Sequence, residues 1–552
     1  MKDSMVDEQE LDSITDYSTD KPIINQNEHS GSTGGTNMEA NPDAVANPES
    51  TTHPDTTTHP DAVAHPAKAA RSNPSGRNNQ SRVDRLGTEK IGKLILEFAI
   101  PAILGNLINA LYNIVDGIFM GWGVGEIGLA TATVSMPIMQ FSMAVSMLLG
   151  AGGNALVALR LGEGRKDEAE KIMGTTFSLF VLAGITCTTL LHIFMGPLLR
   201  ISGTTDEIYA SARIFIGIIS SGVTLQFFGM GFNNFIRTAG APVRALLTMV
   251  CGITVSIFCN WLFVLVLHWG VAGSAWATLL GQATSCLSVM HYFCLSKKAP
   301  FKVRIKNLPI KPKVALNIVT LGSASFFMSI AGAIISIFVN KQIGYYGDLS
   351  PIGTGGAFAA LGVVGRAAMF TFFPIMGCAI AAQPLFGYNY GAQNYQRVKQ
   401  AFWVAYRGMV IIGSTLWVVV MLFSPQIAFV FGVQGDLLDF TAHAMRIQLF
   451  LIPFMGLQML SANLFQSTGQ PLKSLVLSMT RQILYMLPLV YLLPIVLPMV
   501  SSTLLGIDGI YWCYPFADSL AVLTAALMIR REFKKLDIKI AIQATEKALS
   551  PA

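Results

Sequence analysis

Charge is what this sequence has least of. Only 13% of its 552 residues are Asp, Glu, Lys or Arg, against roughly a quarter in soluble domains, while 52% are hydrophobic. A water-soluble protein of this length would divide into several domains, each needing a polar surface that this chain does not have. Cysteine pairing is missing too. The seven cysteines are odd in number, form no CxxC motif and lie in or beside apolar stretches, as small buried hydrophobes do, so neither a disulfide framework nor a zinc site is expected. Residues 1–90 hold no apolar run that would serve as a signal-peptide core. Nor is the net charge of +6 a nucleic-acid footprint, because the basic residues sit mostly in short loops between apolar segments.

Residues 1–90 are rich in Ser, Thr, Asn, Asp and Pro and carry a drifting repeat, NPDAVANPES, TTHPD, TTTHPD, AVAHPA. Such a segment buries too little surface to offset its ordering entropy and is predicted to be a disordered tail. His53, His59 and His65 belong to that repeat rather than to a metal site.

From Lys93 the pattern changes. A bilayer core needs about 20 apolar residues per helix, and runs of that kind predict spans at 94–120, 129–159, 172–198, 208–236, 244–268, 271–296, 314–342, 356–387, 401–424, 438–466, 474–498 and 507–530. Their continuity excludes a β-barrel, whose segments alternate over about ten residues. The fold class is therefore an all-α polytopic membrane protein of twelve transmembrane helices. Connections after the even-numbered spans carry the Lys and Arg, for instance Arg160, Arg165 and Lys166, Arg397 and Lys399, and the run from Lys297 to Lys313. Those after the first, fifth and eleventh have none. By the positive-inside rule both ends face the cytoplasm, which requires an even number of spans, in a cell membrane.

The two halves repeat. At an offset of 227 residues Gly150 meets Gly377, Ala155 meets Ala382 and Gly164 meets Gly391; at 229, Asn234 meets Asn463, Gly240 meets Gly469 and Pro242 meets Pro471. Two six-helix lobes follow, related by an axis along the membrane normal with the solute path between them. The predicted division is a tail to 90, a first lobe at 91–300, a basic linker at 301–313, a second lobe at 314–535 and a cytoplasmic tail at 536–552.

Within the first span lies Asp116, where an ionised carboxylate costs about 3 kcal/mol on insertion scales. At helical spacing Gly105, Asn109, Tyr112 and Asn113 share its face. The fifth span carries Ser256 and Asn260 one turn apart, and the sixth carries Ser274, Thr278 and Gln282. An acid so placed can hold a proton or a sodium ion. The neutral residues suit either an ion site or interhelical packing. Arg366 in the eighth span is the other costly charge, lining a cavity, paired with a carboxylate or snorkelling to the outer surface, and Asp518 near the start of the last span reads as structural. Met143, Phe228 and Met369 are candidates for a cavity suited to flat cations.

The motifs AIPAILGNLINALYNIVDGIFMG at 99–121, ALVALRLGEGRKDEAEKI at 155–172, NNFIRTAGAPVRALLTMV at 233–250, QPLFGYNYGAQNYQRVKQ at 383–400 and NLFQSTGQPLKSLVLSM at 463–479 resemble the multidrug and toxic compound extrusion (MATE) family, in its multidrug-export and DNA-damage-inducible branch. The resemblance implies the MATE fold and antiport of organic cations against entering protons or sodium ions. It places a coupling site at Asp116, Ser256, Asn260 and Thr278, with sodium the only metal in view; Asn109, Tyr112, Asn113 and Gln282 are the supporting polar residues that helical spacing adds. Several members have a second acid where this chain has Asn260. Acids that other members place in the seventh and tenth spans are missing here, so a coupling site in the second half is not expected. No cofactor and no nucleic-acid partner are expected; a monomer with a small-molecule substrate is. Two alternatives stand beside this reading. A lipid-linked oligosaccharide flippase of the same superfamily would favour a more cationic cavity. A polytopic membrane enzyme would need polar catalytic loops, which are absent here.

Overall fold

The computed structural model describes residues 83–549 except 203, 205, 297–298 and 501–504. Among the described residues every regular element is helical. We number the membrane helices α1 (Ile91–Val124), α2 (Glu126–Gly162), α3 (Lys166–Ile193), α4 (Ile208–Ser221 with Val223–Thr238), α5 (Pro242–Val266), α6 (Gly270–Met290), α7 (Pro312–Asp348), α8 (Gly353–Gly391), α9 (Tyr395–Val430), α10 (Asp436–Gln448 with Ile452–Ser467), α11 (Pro471–Val500) and α12 (Gly506–Leu549). Each coincides with a predicted span. Among the described residues nine are long and apolar enough to cross a bilayer, and α4 and α10 are bent by 53° and 45°. The twelfth, α6, falls short of that apolarity, because Ser274, Thr278 and Gln282 interrupt its apolar run.

In lipid the backbone must satisfy its own hydrogen bonds, which makes these runs helical. Their ends follow local chemistry. Pro242, Pro312 and Pro471 open α5, α7 and α11 at the position where a missing N–H costs nothing. Gly125, at φ 77°, turns α1 directly into α2, a conformation that a side chain would strain.

The helices build two hydrophobic cores. One gathers residues of α2–α6, such as Phe180, Phe227, Phe232 and Phe293. The other gathers α8–α12, including Phe386, Phe402, Phe465 and Tyr511. The predicted cut at the linker does not divide them cleanly. Leu94, Ile95 and Phe98, at the start of α1, belong to the second core, and Ile318 and Leu321, at the start of α7, belong to the first. Hydropathy locates a span but not its neighbours, so this exchange has no signature in the apolar runs.

Close approaches between the halves lie toward the ends that carry the basic connections. A Cβ on Gly322 of α7 would fall on the Leu148 backbone of α2, and one on Gly152 would fall on the Ile318 carbonyl. Gly162 of α2 meets Tyr388 of α8, Gly391 meets Leu159, and the Cβ position of Gly377 lies 2.8 Å from Ile103 Cα. Small residues let membrane helices pack backbone against backbone in this way. Near the opposite ends, Gly117, Gly355, Gly362 and Gly365 have nothing within 4 Å of the Cβ position. The helices are thus sealed together on the basic side.

Two boundaries change. The tail predicted as disordered to residue 90 ends earlier, since 83–88 form a helical turn with Val83 and Leu86 buried. Asn389 Nδ2 donates to the Leu86 carbonyl at 3.0 Å, Arg397 Nη2 donates to that of Glu89 at 2.7 Å, and Arg85 pairs with Glu89 and Glu97 at 2.7 Å each. Low-complexity composition masked the short apolar pattern that allows this docking. The rest of the predicted tail, like the repeat histidines, lies outside the described residues. At the other end, 536–549 continue α12 as helix, held by Lys399 Nζ to Asp537 at 2.5 Å and by Lys539 over the Tyr390 and Tyr395 rings. The basic linker is packed against the first half, with Phe301 buried on Phe293, Arg304 Nε 3.1 Å from Glu170, and Ser178 Oγ donating to the Leu308 carbonyl at 2.6 Å.

Candidate functional site

Three helices of the first half present one polar cluster, built in two layers a helical turn apart. In one layer Asn260 Nδ2 donates to Asp116 Oδ1 at 3.0 Å, and Ser274 Oγ donates to the same oxygen at 3.4 Å. In the other, the Tyr112 hydroxyl shares hydrogen bonds with Ser256 Oγ at 2.9 Å and Thr278 Oγ1 at 3.1 Å. Each helix contributes a pair four residues apart: Tyr112 and Asp116 on α1, Ser256 and Asn260 on α5, Thr278 and Ser274 on α6. The order is reversed on α6, as it must be when that helix runs back across the membrane. Helical periodicity therefore carries all six side chains to one seam.

Glycine sets the depth of that seam. The Cβ position of Gly252 on α5 lies 2.8 Å from the Gly281 carbonyl of α6, and that of Gly281 lies 2.8 Å from the Gly252 carbonyl. Methyl groups at these positions would force the helices apart and withdraw Ser256 and Asn260 from α1. Asn260, Ser256 and Ser274 are buried, whereas Asp116 is half-buried. The charge can thus be reached while the groups that orient it are fixed.

The donor set fits a hard cation or a proton. Asp116 supplies a carboxylate, and Asn260 Oδ1 is buried without a hydrogen-bond partner. It is an acceptor about one side chain away from the carboxylate that its own Nδ2 holds. An unpaired buried carbonyl oxygen is costly unless something donates to it or is coordinated by it. Among the described residues no cluster of three or more His, Cys, Asp or Glu forms a metal cage, so a cation here would rest on one carboxylate and neutral oxygens.

Not every other candidate joins this cluster. Asn109 lies half-buried lower on α1, and the side chain of Asn113 lies outside the described residues. Gln282 faces α4 instead, its Oε1 lying 3.3 Å from the Cβ position of Gly222. Phe228 is no cavity wall. It is buried in an aromatic cluster, 4.8 Å from Phe177 and 5.6 Å from Phe180 between ring centroids, because aromatic rings gain more from edge and tilted packing than from an open face. Met143 is half-buried, and Arg366 and Met369 are exposed on α8. Arg366 makes no ion pair with a described residue.

Ser274 lies on the polar face that helical spacing gives the sixth span, but its contact with the carboxylate depends on how far α6 is rotated. One group has no signal in the sequence reading. Arg481 sits inside α11, where the high average hydropathy hid it. Its Nε lies 2.5 Å from Asp518 Oδ1 of α12, with the two side chains 19% and 3% exposed, so Asp518 is an ion-paired acid within the second half.

The sequence pattern of the MatE family matches residues 101–262 and 324–492, more than half of the chain and one block in each half. The chain is 21% identical over 441 residues to "Multidrug export protein MepA" of Staphylococcus saprophyticus, covering 79% of this chain and 93% of that protein. It is 22% identical over 444 residues to the protein of that name from Staphylococcus haemolyticus, with 80% and 93% covered. Among solved structures, one described as the "outward-facing conformation of a multidrug resistance MATE family transporter of the MOP superfamily" superposes with a TM-score of 0.76 at 24% identity, over 82% of this chain and 98% of that one. A MOP superfamily transporter from Pyrococcus furiosus does so with the same score and coverage. The twelve-helix arrangement and the matched blocks in both halves agree with these likenesses, and the chain belongs to the MATE family of multidrug efflux transporters.

Proposed function

We propose that this protein is a secondary antiporter of the cell membrane that exports lipophilic organic cations in exchange for a proton or sodium ion bound at Asp116. The two-layer cluster of α1, α5 and α6 carries this reading, since it centres a single reachable carboxylate on buried neutral groups. Asn260 and Ser274 donate to Asp116 while it is ionised. A proton on that carboxylate weakens both bonds and loosens α1 from α5 and α6, whereas a sodium ion shared with Asn260 Oδ1 ties α1 more closely to α5. Tyr112, tied to Ser256 and Thr278 one turn away, transmits the change along α1. Because α1 begins in the second core and continues beside α5 and α6, its displacement bears on both halves at once. The excess of Lys and Arg in alternate loops supports cytoplasmic chain ends, and with that orientation the sealed side is cytoplasmic and the arrangement outward-facing, ready for an entering ion.

The test is counterflow of a fluorescent cation in proteoliposomes under separate proton and sodium gradients. Asp116→Asn keeps the shape and removes the charge, and is expected to lower gradient-driven flux at least tenfold with the protein folded. Undiminished, gradient-dependent flux in that variant would overturn the mechanism. The gradient that drives the wild-type protein names the ion.

A further inference from the structure

A second site with charged side chains lies in the other half, and it holds one charge of each sign. Arg481 and Asp518 line a crevice enclosed by α7, α8, α10, α11 and α12, with Gln458, Gln482, Met328 and Met455 around it. The guanidinium has five N–H donors, yet it meets Asp518 through Nε alone. Its two terminal nitrogens make no hydrogen bond within the described protein. An Arg–carboxylate pair built for stability is usually bidentate, and a buried pair adds little stability over an apolar replacement. This pair uses Nε alone, which leaves both terminal nitrogens of a side chain that lines the crevice free to take a carboxylate. Arg481 also lies on the π-helical turn Thr480–Met486, an irregularity common at functional sites.

Charge balance narrows the ligand. Arg481 and Asp518 sum to zero, so an organic acid would bring an uncompensated negative charge into a low-dielectric site. A zwitterion adds no net charge: its carboxylate takes the free nitrogens while its ammonium stays outside the crevice. The crevice is small, about 50 Å³, room for a carboxylate and a water but not for a whole drug, so it reads a head group. We propose that this crevice is a recognition subsite for the carboxylate of zwitterionic substrates, which the acidic first-half cluster would not by itself select. The proposal rests on the export reading above for its physiological meaning, but binding tests it independently.

The experiment measures equilibrium binding to the purified full-length protein in detergent, using fluorescent norfloxacin, an amine-bearing carboxylate, and its ethyl ester, a cation of nearly the same shape. Arg481→Lys keeps the charge and the Asp518 pair but loses the free fork. Arg481→Gln combined with Asp518→Asn removes both charges without stranding one. Both proteins are expected to bind norfloxacin at least tenfold more weakly while the ester stays within twofold of wild type. Norfloxacin affinity within twofold of wild type, or an equal fall for both ligands in Arg481→Lys, would overturn the subsite. Failure of the Asp116 mechanism appears elsewhere, as gradient-driven flux surviving Asp116→Asn.

Discussion

Substituting Gly322 by alanine tests how the two halves are sealed. The Cβ would fall on the backbone of Leu148, and a backbone, unlike the end of a flexible side chain, has no other rotamer to adopt. The helices α2 and α7 must therefore separate by on the order of 1 Å, and overpacking of this kind costs about 1–3 kcal/mol. That cost falls on the conformation closed at the basic ends and not on one in which those ends have parted. The equilibrium should shift toward the parted form by about 5- to 150-fold, at a factor of ten per 1.4 kcal/mol. Ala158 reports the change. It is 1% exposed and is covered by Gly387 of α8, so in a cysteine-free background Ala158→Cys should react slowly with an impermeant maleimide in inside-out vesicles. With Gly322→Ala added, the rate should rise several-fold or more. Gly362→Ala, which meets nothing within 4 Å, serves as control and should leave the rate unchanged. An unaltered rate in folded Gly322→Ala protein would refute the assignment of this crossing as part of the seal.

Three further outcomes follow from the geometry. Asn260→Asp places a second carboxylate beside Asp116, at the 3.0 Å contact now made by the amide, and should strengthen sodium dependence, read as a lower sodium concentration for half-maximal counterflow. Asn389→Leu removes bonds to the Leu86 and Leu385 carbonyls and from Arg397 Nε. Leaving such partners unsatisfied costs about 1–3 kcal/mol, so amide hydrogen exchange over 83–90 should accelerate roughly 5- to 150-fold. Lys93 and Arg85 hold the Glu89 carboxyl below the usual carboxylate range. Its contribution to docking of 83–97 is therefore present above the unfolded value and lost as pH falls through the depressed one. Glu89→Gln should flatten the acid-side rise in exchange over 83–90, once intrinsic rates are corrected. The effect is small, because the group is solvent-exposed.

Much of this architecture is legible in the residues because the bilayer imposes a simple rule. A run of about 20 apolar residues has one fate, so every predicted span meets a helix, α6 among them. The candidate site was partly legible for a related reason. Periodicity places Tyr112 with Asp116 and Ser256 with Asn260, and the resemblance joins α1 to α5 and α6. Helix rotation and helix partners are not encoded in any single run. That is why Ser274 enters the cluster while Gln282 leaves it toward α4, why Phe228 is packed among rings, and why Arg481 finds Asp518 across two helices. The docking of 83–90 was missed for the opposite reason, since a stretch of unremarkable composition is ordered by partners some 300 residues away in the chain.

The exchange of α1 and α7 between the cores bears on how such a chain could have arisen. If the two halves descend from one six-helix unit, that unit made alone would have had a first helix whose opening turns lacked their own core to pack into. It could complete itself only by lending those turns to a second copy and receiving the same turns in return, as in a domain-swapped dimer. Fusion through the 301–313 segment then made permanent an embrace that two separate chains already required, and a reciprocal crossing of this kind ties any movement of one half to the first helix of the other.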